Sequence, residues 1–132
     1  MQYQLTLKPT KGELVRLQPF IAQATEAAGI TGKQARHLRL AVEEAVVNVI
    51  NYSQCTAIAL SASVAEDRLA LTIDDDGVPF DPTEESATDL SVPADERPPG
   101  GLGIILMHQM TDSLSYERID GHNVLTLGKM KD

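Results

Sequence analysis

The chain has 132 residues, of which 42% are hydrophobic, a length and apolar content that suit one compact domain over 1–132. A formal net charge of −8 argues against a direct nucleic-acid partner, because phosphate backbones are bound by clustered Lys and Arg. One Cys and three His argue against a disulfide framework or a zinc site, and without a secretory signal or a membrane-length apolar run a cytoplasmic protein is expected.

The N-terminal half predicts one strand and two helices. Polar and apolar residues alternate over 3–7, which indicates a strand. Apolar residues at helical spacing predict a first helix over 13–28, and Gly29 is typical of its end. The capping-box pattern Thr31-Gly-Lys-Gln34 then begins a second helix, which continues to about Tyr52.

Two β-rich runs follow, and then a polar segment. Residues 58–64 and 68–73 predict a hairpin, and the second run leads into an Asp-Asp-Asp-Gly turn. Residues 79–99 are rich in Pro, Asp, Glu, Ser and Thr and have few large apolar side chains. This composition predicts a mobile loop.

A third helix and a second hairpin complete the predicted elements. Ile104, Ile105, Met107 and Met110 have helical spacing, and two β-rich runs, 113–119 and 123–129, flank Asp120-Gly121, a strong hairpin signal. The order β-α-α-β-β-loop-α-β-β predicts an α+β fold. Its expected form is a two-layer sandwich, with a mixed, mostly antiparallel sheet covered on one face by helices.

The second helix carries a polar stripe away from its valine-rich side. The stripe consists of His37, Glu44, Asn48 and Asn51. A solvated face is one interpretation, but Asn is a poor helix former, so two of them in four residues need some compensation. The alternative is a site: oxygen ligands suit Mg²⁺, and Asn48 fits the ligand role beside the Glu44 carboxylate.

The segment Asp74–Gly77 places three carboxylates beside a glycine that permits close approach or positive φ. An acidic surface turn is the plain interpretation. An aspartate held at a strand end would instead accept a hydrogen bond from an exocyclic amine and so select adenine. Asp75 is the candidate for that contact.

The glycine segment Gly100–Gly103 opens an apolar helix after the long loop. Its amides and the helix N-terminus would face phosphate oxygens, although a simple loop–helix junction explains the glycines equally well. It is neither a P-loop nor a strand-linked dinucleotide fingerprint.

In this order, Glu44-x3-Asn48, Asp75-x-Gly77 and Gly101-x-Gly103 resemble the three nucleotide-binding boxes of the GHKL ATPase/kinase superfamily. More narrowly, three segments are similar to the bacterial anti-sigma-factor serine/threonine kinases, and the resemblance covers nearly the whole chain. These segments are Ala41-Val-Glu-Glu-Ala-Val-Val-Asn48, Asp75-Asp-Gly-Val-Pro-Phe-Asp81 and Gly100-Gly-Leu-Gly-Ile-Ile-Leu-Met107.

The resemblance implies the histidine-kinase-like fold, with ATP between the second helix, the sheet and a lid formed by 79–99. It implies that Glu44 is the general base toward a partner's serine, that Asn48 holds Mg²⁺, and that Asp75 contacts adenine. The other implied cofactor-binding residues are Asn51, Gly77, Gly101, Leu102 and Gly103. Phosphoryl transfer needs little beyond an oriented hydroxyl and stabilised charge, which agrees with this set.

The implied function is phosphorylation of a small STAS-type anti-sigma-factor antagonist, with possible sequestration of a sigma factor and possible homodimerisation. One alternative is a non-catalytic module in which ATP controls the affinity for a partner, and another is an ATPase subunit of a larger machine. A histidine kinase would need phosphoacceptor helices, for which this length leaves no room.

Some positions depart from the family pattern or keep two interpretations. Where the family has a threonine near the adenine, this sequence offers Asn123 and, slightly displaced, Thr126, so that contact is unassigned. Arg97 would touch the γ-phosphate or be a solvated surface residue. Arg16 falls where such kinases meet protein partners, or its side chain simply covers the surface.

Overall fold

The structure is a computed structural model that describes residues 1–81 and 107–131. In chain order its elements are β1 (Gln2–Leu7), a 3-10 helix (Lys11–Arg16), α1 (Leu17–Ala28), α2 (Gly32–Tyr52), β2 (Ile58–Val64), β3 (Arg68–Asp75), β4 (Ser113–Ile119) and β5 (His122–Met130). Residues 107–110 are helical, while the rest of the predicted third helix lies outside the described residues.

The five strands form one sheet in the order β1-β2-β3-β5-β4, and every described pair is antiparallel. Side chains alternate between the two faces of a strand. On the helix-facing side β3 and β5 bury Leu71, Ile73 and Leu127, and α1 and α2 cover them with Ile21, Val42 and Val46, among others. The predicted α+β sandwich is confirmed, and where a mixed, mostly antiparallel sheet was expected, the strand pairs of the described residues are all antiparallel.

The first predicted helix is wrong at its start. Residues 11–16 form a 3-10 helix, and the α-helix begins only at Leu17. Pro19 explains the boundary, because a proline inside an α-helix clashes with the carbonyl four residues earlier and is tolerated only in the first turn. The end is as predicted, since Gly29 adopts the left-handed conformation with φ of 73°.

The second helix has the predicted bounds but not the predicted cap. It begins after Thr31, whose side chain makes no capping hydrogen bond, so the capping box is not formed. The helix depends instead on the packing of its buried apolar face, which includes Leu38, Val42 and Val46.

The second hairpin is confirmed. Asp120 and Gly121 both have positive φ, 48° and 81°, as a two-residue type I′ turn requires. This turn joins Ile119 to His122, and it fixes the register that places Asn123 opposite Arg118. In the part of the chain that the structure describes, no helix is long and apolar enough to cross a membrane.

Candidate nucleotide-binding site

A small pocket lies between α2 and the ends of β3 and β5. It is lined by Ala45, Asn48, Val49, Ile73, Asp75, Phe80, Met107, Tyr116, Asn123 and Leu125. These side chains leave about 10 Å³ of space for the centre of a water molecule, roughly enough for one water. Two of the predicted site residues, Asn48 and Asp75, therefore meet at one place although they are far apart in the sequence.

The three adjacent carboxylates point in three directions. The predicted turn is wrong at its start, because β3 continues through Asp75 and so separates Asp74 and Asp75 onto opposite faces. Asp74 lies on the face away from the helices, where its Oδ1 is 2.6 Å from His122 Nδ1. Asp75 is 2% exposed and lines the pocket.

Asp76 stabilises the connection before β2. Its carboxylate accepts hydrogen bonds from the amides of Thr56, at 2.7 Å, and Ala57, at 3.2 Å, and from the Thr56 hydroxyl. These bonds, with the Thr56 hydroxyl first, lower the pKa of Asp76 from 3.8 to about 2. Only Asp75 is thus left for the pocket.

The carboxylate of Asp75 is held by two donors on one oxygen. Its Oδ1 accepts from the Gly77 amide at 2.9 Å and from Asn123 Nδ2 at 3.0 Å. Within residues 1–81 and 107–131 no hydrogen bond reaches its Oδ2. A carboxylate with one oxygen committed and the other unused can accept a donor from a ligand.

A glycine is required at position 77 because the backbone of Ser53 lies too close for a side chain. A Cβ at this position would lie 2.1 Å from the backbone oxygen of Ser53, at the end of α2. The same oxygen accepts the Val78 amide at 2.6 Å. The glycine thus brings the segment after β3 against α2. Its predicted contact with a nucleotide base stays a prediction.

Asn48 is buried rather than solvated. It is 4% exposed and lines the pocket beside Val49, so the predicted separation of the polar stripe from the valine-rich side is wrong at this residue. Its Nδ2 is buried and, among the described residues, has no hydrogen-bond partner. A buried amide without a partner costs free energy, and a polar ligand would remove that cost. Because Nδ2 is a donor, it fits an acceptor such as a phosphate oxygen, whereas a cation would be held through the amide oxygen of the same side chain.

Glu44 and Asn51 lie on α2 but not among the residues that line the pocket. Glu44 is half-buried one turn before Asn48, whereas Asn51 is exposed in the last turn. Among the described residues Glu44 forms no ion pair, while its neighbour Glu43 pairs with Arg39 at 3.8 Å. The roles of Glu44 and Asn51 stay predictions.

Three residues contribute to the site although the sequence did not predict them or left them without a role. Asn123 is 3% exposed, lines the pocket and bonds to Asp75, whereas Thr126 lies on the opposite face of β5, 3.5 Å from Thr72. Tyr116 and Arg118 on β4 both donate to Asn123. The sequence of β4 shows that Tyr116 and Arg118, two residues apart, face the same side of the sheet. Their contact with Asn123 could be predicted only if β5 were known to be the neighbouring strand.

Several predicted positions lie outside the described residues. They are residues 82–99 of the predicted lid, which include Arg97, and the glycine segment with Gly100, Gly101, Leu102 and Gly103. Arg16 is described: its Nη1 donates to the Thr6 backbone oxygen at 3.0 Å and to Glu13 at 3.2 Å. This arginine thus joins the 3-10 helix to β1, and a role toward a partner stays a prediction.

Comparison with known families gives the class of protein. A model of the histidine kinase-like ATPase domain matches residues 7–129, nearly the whole chain. The chain belongs to this family of GHKL-type domains, which confirms the predicted resemblance to the superfamily.

Individual relatives refine the class. Serine/threonine-protein kinase BtrW of Bordetella bronchiseptica is 35% identical over 94 residues, which cover 68% of this chain and 66% of BtrW. Serine-protein kinase RsbW of Bacillus cereus is 26% identical over 125 residues, covering 89% and 78%. Anti-sigma F factor of Clostridium perfringens is 28% identical over 122 residues, covering 88% and 84%. The relatives are thus kinases and anti-sigma factors.

Solved structures agree on the fold. The crystal structure of the RsbU and RsbW domains of a Mycobacterium tuberculosis protein has a TM-score of 0.67 at 13% identity, covering 98% of this chain and 32% of that one. The Acinetobacter baumannii histidine kinase AdeS has a TM-score of 0.55 at 13% identity, covering 98% and 68%. At these identities the likeness establishes the fold alone.

Proposed function

We propose that this chain is an ATP-dependent serine/threonine-protein kinase domain that phosphorylates a small STAS-type anti-sigma-factor antagonist and also binds a sigma factor. The observation that carries the proposal is the meeting of Asp75 and Asn48 in one buried pocket. The names of the relatives, serine-protein kinase and anti-sigma F factor, support the choice among GHKL functions.

In this proposal Asp75 selects the base. Its Oδ1 is committed to Gly77 and Asn123, so its other oxygen accepts the exocyclic amine of adenine. The pocket admits only about one water in the described conformation, so entry of a purine requires Phe80 or Met107 to move. Phe80 lies at the pocket's edge, with its ring centre 6.0 Å from that of Tyr52.

Asn48 would hold Mg²⁺ together with phosphate oxygens and water. When bound, the ion neutralises charge on the phosphate oxygens. Glu44, one turn earlier on the same helix, would accept the proton of the partner's hydroxyl. Its carboxylate suits that role because no cation among the described residues pairs with it.

The test compares two neighbouring glutamates. Purified chain is incubated with Mg-ATP and candidate STAS-type antagonists, and phosphoserine or phosphothreonine is followed by mass spectrometry. Since a general base contributes about 10²–10⁴-fold, Glu44→Gln should slow transfer by at least about a hundredfold while ATP affinity is kept. Glu43→Gln removes a charge from the adjacent position and should leave the rate nearly unchanged.

Three results would contradict the proposal. Equal rates for Glu44→Gln and the unchanged chain would remove Glu44 as the base. If ATP binds but no antagonist is phosphorylated, the chain is a non-catalytic module gated by ATP. ATP turnover without a protein acceptor would instead indicate an ATPase subunit.

A further inference from the structure

Asn123 occupies a special position in the sheet. It lies directly opposite Asp75 in the β3–β5 register and opposite Arg118 in the β4–β5 register. It is 3% exposed and faces the helices, on the same side as Leu125. A buried amide at this position must have its hydrogen bonds satisfied by its neighbours.

Both hydrogens of the Asn123 amide are used. Nδ2 donates to Asp75 Oδ1 at 3.0 Å and to the Val78 backbone oxygen at 2.8 Å. The first bond orients the Asp75 carboxylate, and the second fixes the segment that follows it. Together with the Gly77 amide, Asn123 commits one particular oxygen of Asp75 to the protein.

The amide oxygen is held just as firmly. Oδ1 of Asn123 accepts from the Tyr116 hydroxyl at 2.5 Å, from the Phe80 amide at 3.1 Å and from Arg118 Nη1 at 3.1 Å. Arg118 Nη1 also donates to the Gly77 oxygen at 2.8 Å. Because three donors surround Oδ1 and two acceptors surround Nδ2, the amide can adopt only one orientation. Only Asn or Gln carries both kinds of group on one planar amide, and only Asn has this length.

We infer that Asn123 is a positioning residue for base recognition: it holds Asp75 so that one carboxylate oxygen is reserved for the 6-amino group of an adenine nucleotide. The inference rests on the proposed ATP-binding function. Tyr116 and Arg118 keep the Asn123 amide from turning over. Asn123 itself acts through Asp75 and makes no contact with the base in this account.

The experiment measures affinity for two nucleotides without any transfer step. ATP and purine riboside triphosphate, which lacks the 6-amino group, are titrated by calorimetry into the unchanged chain and into Asn123→Asp. The unchanged chain should bind ATP tighter by on the order of tenfold, as expected for a hydrogen bond to a charged group. Asn123→Asp cannot donate to Asp75 and places a second carboxylate beside it, so this preference should fall to about one.

Two further variants keep the result interpretable. Tyr116→Phe removes one donor from a half-buried position and should reduce the preference for ATP by a smaller factor, even if Asn123→Asp folds poorly. Thr126→Val lies on the other face of the same strand and should leave the preference unchanged.

The outcomes separate the two proposals. If Asn123→Asp and Tyr116→Phe weaken both nucleotides by the same factor, Asn123 has only a structural role and the inference is overturned while ATP binding stands. An unchanged chain that shows no preference also overturns it. Failure of the unchanged chain to bind ATP at all would remove the proposed function and the inference with it.

Discussion

The centre of the sheet and its pocket end are equally buried, but the buried side chains are apolar at the centre and polar at the pocket end. At the centre Leu60, Leu71 and Leu127 are at most 2% exposed and contact other apolar side chains. At the pocket end Asn48, Asp75 and Asn123 are at most 4% exposed, yet all are polar. Burial of polar groups costs free energy unless they are paired, so the pocket end is not explained by stability alone.

Among the described residues, some buried polar groups at the pocket end have hydrogen-bond partners and others do not. Asn123 has every hydrogen bond satisfied, whereas Asn48 leaves Nδ2 buried without a partner among the described residues. We attribute the first to positioning and the second to a ligand. Three changes sharpen the contrast between the two regions.

The largest effect on stability is expected at the centre. Leu71→Ala removes buried apolar volume and should lower the free energy of unfolding by about 2–5 kcal/mol, measured by urea denaturation. The folded fraction should bind ATP with a dissociation constant within about twofold of the original, since distant sites act independently. Met130→Ala, at a half-exposed position, is the control. A large loss of ATP affinity in folded Leu71→Ala would show that the two regions are not separate.

At the pocket end, a change to an apolar side chain should stabilise the fold instead of destabilising it. Asn48→Leu replaces a buried amide, whose Nδ2 has no hydrogen-bond partner among the described residues, with an apolar side chain. This change should raise the free energy of unfolding by about 1 kcal/mol, while Mg-ATP binding is lost. Arg36→Leu, at an exposed position of the same helix that has no predicted role in the site, should change neither strongly. If Asn48→Leu destabilises the fold and still binds Mg-ATP, the amide has a structural role instead.

The smallest effect is expected beside the pocket, at Asp76. Its pKa is lowered from 3.8 to about 2, so its contribution to stability is complete above pH 3.8 and is lost as the pH falls toward 2. In urea denaturation between pH 5 and pH 2, the unchanged chain should lose more stability than Asp76→Asn. A constant difference between the two across that range would contradict the assignment.

The sequence predicted the elements better than the site. The second helix and the hairpin at Asp120-Gly121 follow local patterns that residues near in sequence determine, and both are confirmed. The first helix began too early in the prediction, because apolar spacing outweighed Pro19. Asp75 was chosen among three carboxylates although the predicted strand ended at residue 73. The continuation of β3 through Asp75, which brings this side chain into the pocket, was not predicted.

Asn123 shows what local patterns cannot give. Its importance comes from lying opposite Asp75 and Arg118 at once, and that depends on the register of three strands. Strand order is set by contacts between residues far apart in the sequence, so no local signal identifies it. Likewise, the sequence left two interpretations for Asn48, a solvated stripe or a ligand site, and its burial depends on strand ends that lie far away in the sequence.

Recognition of adenine by Asp75 is the central claim, and one substitution tests it most directly. Asp75→Asn keeps Oδ1 as acceptor for Gly77 and Asn123 but places an amide donor where the adenine amine would bind. Calorimetry should show ATP affinity reduced by at least about tenfold, with thermal stability nearly kept. Asp74→Asn, on the opposite face, should bind ATP as the unchanged chain does. Unaltered ATP affinity in folded Asp75→Asn would contradict the account.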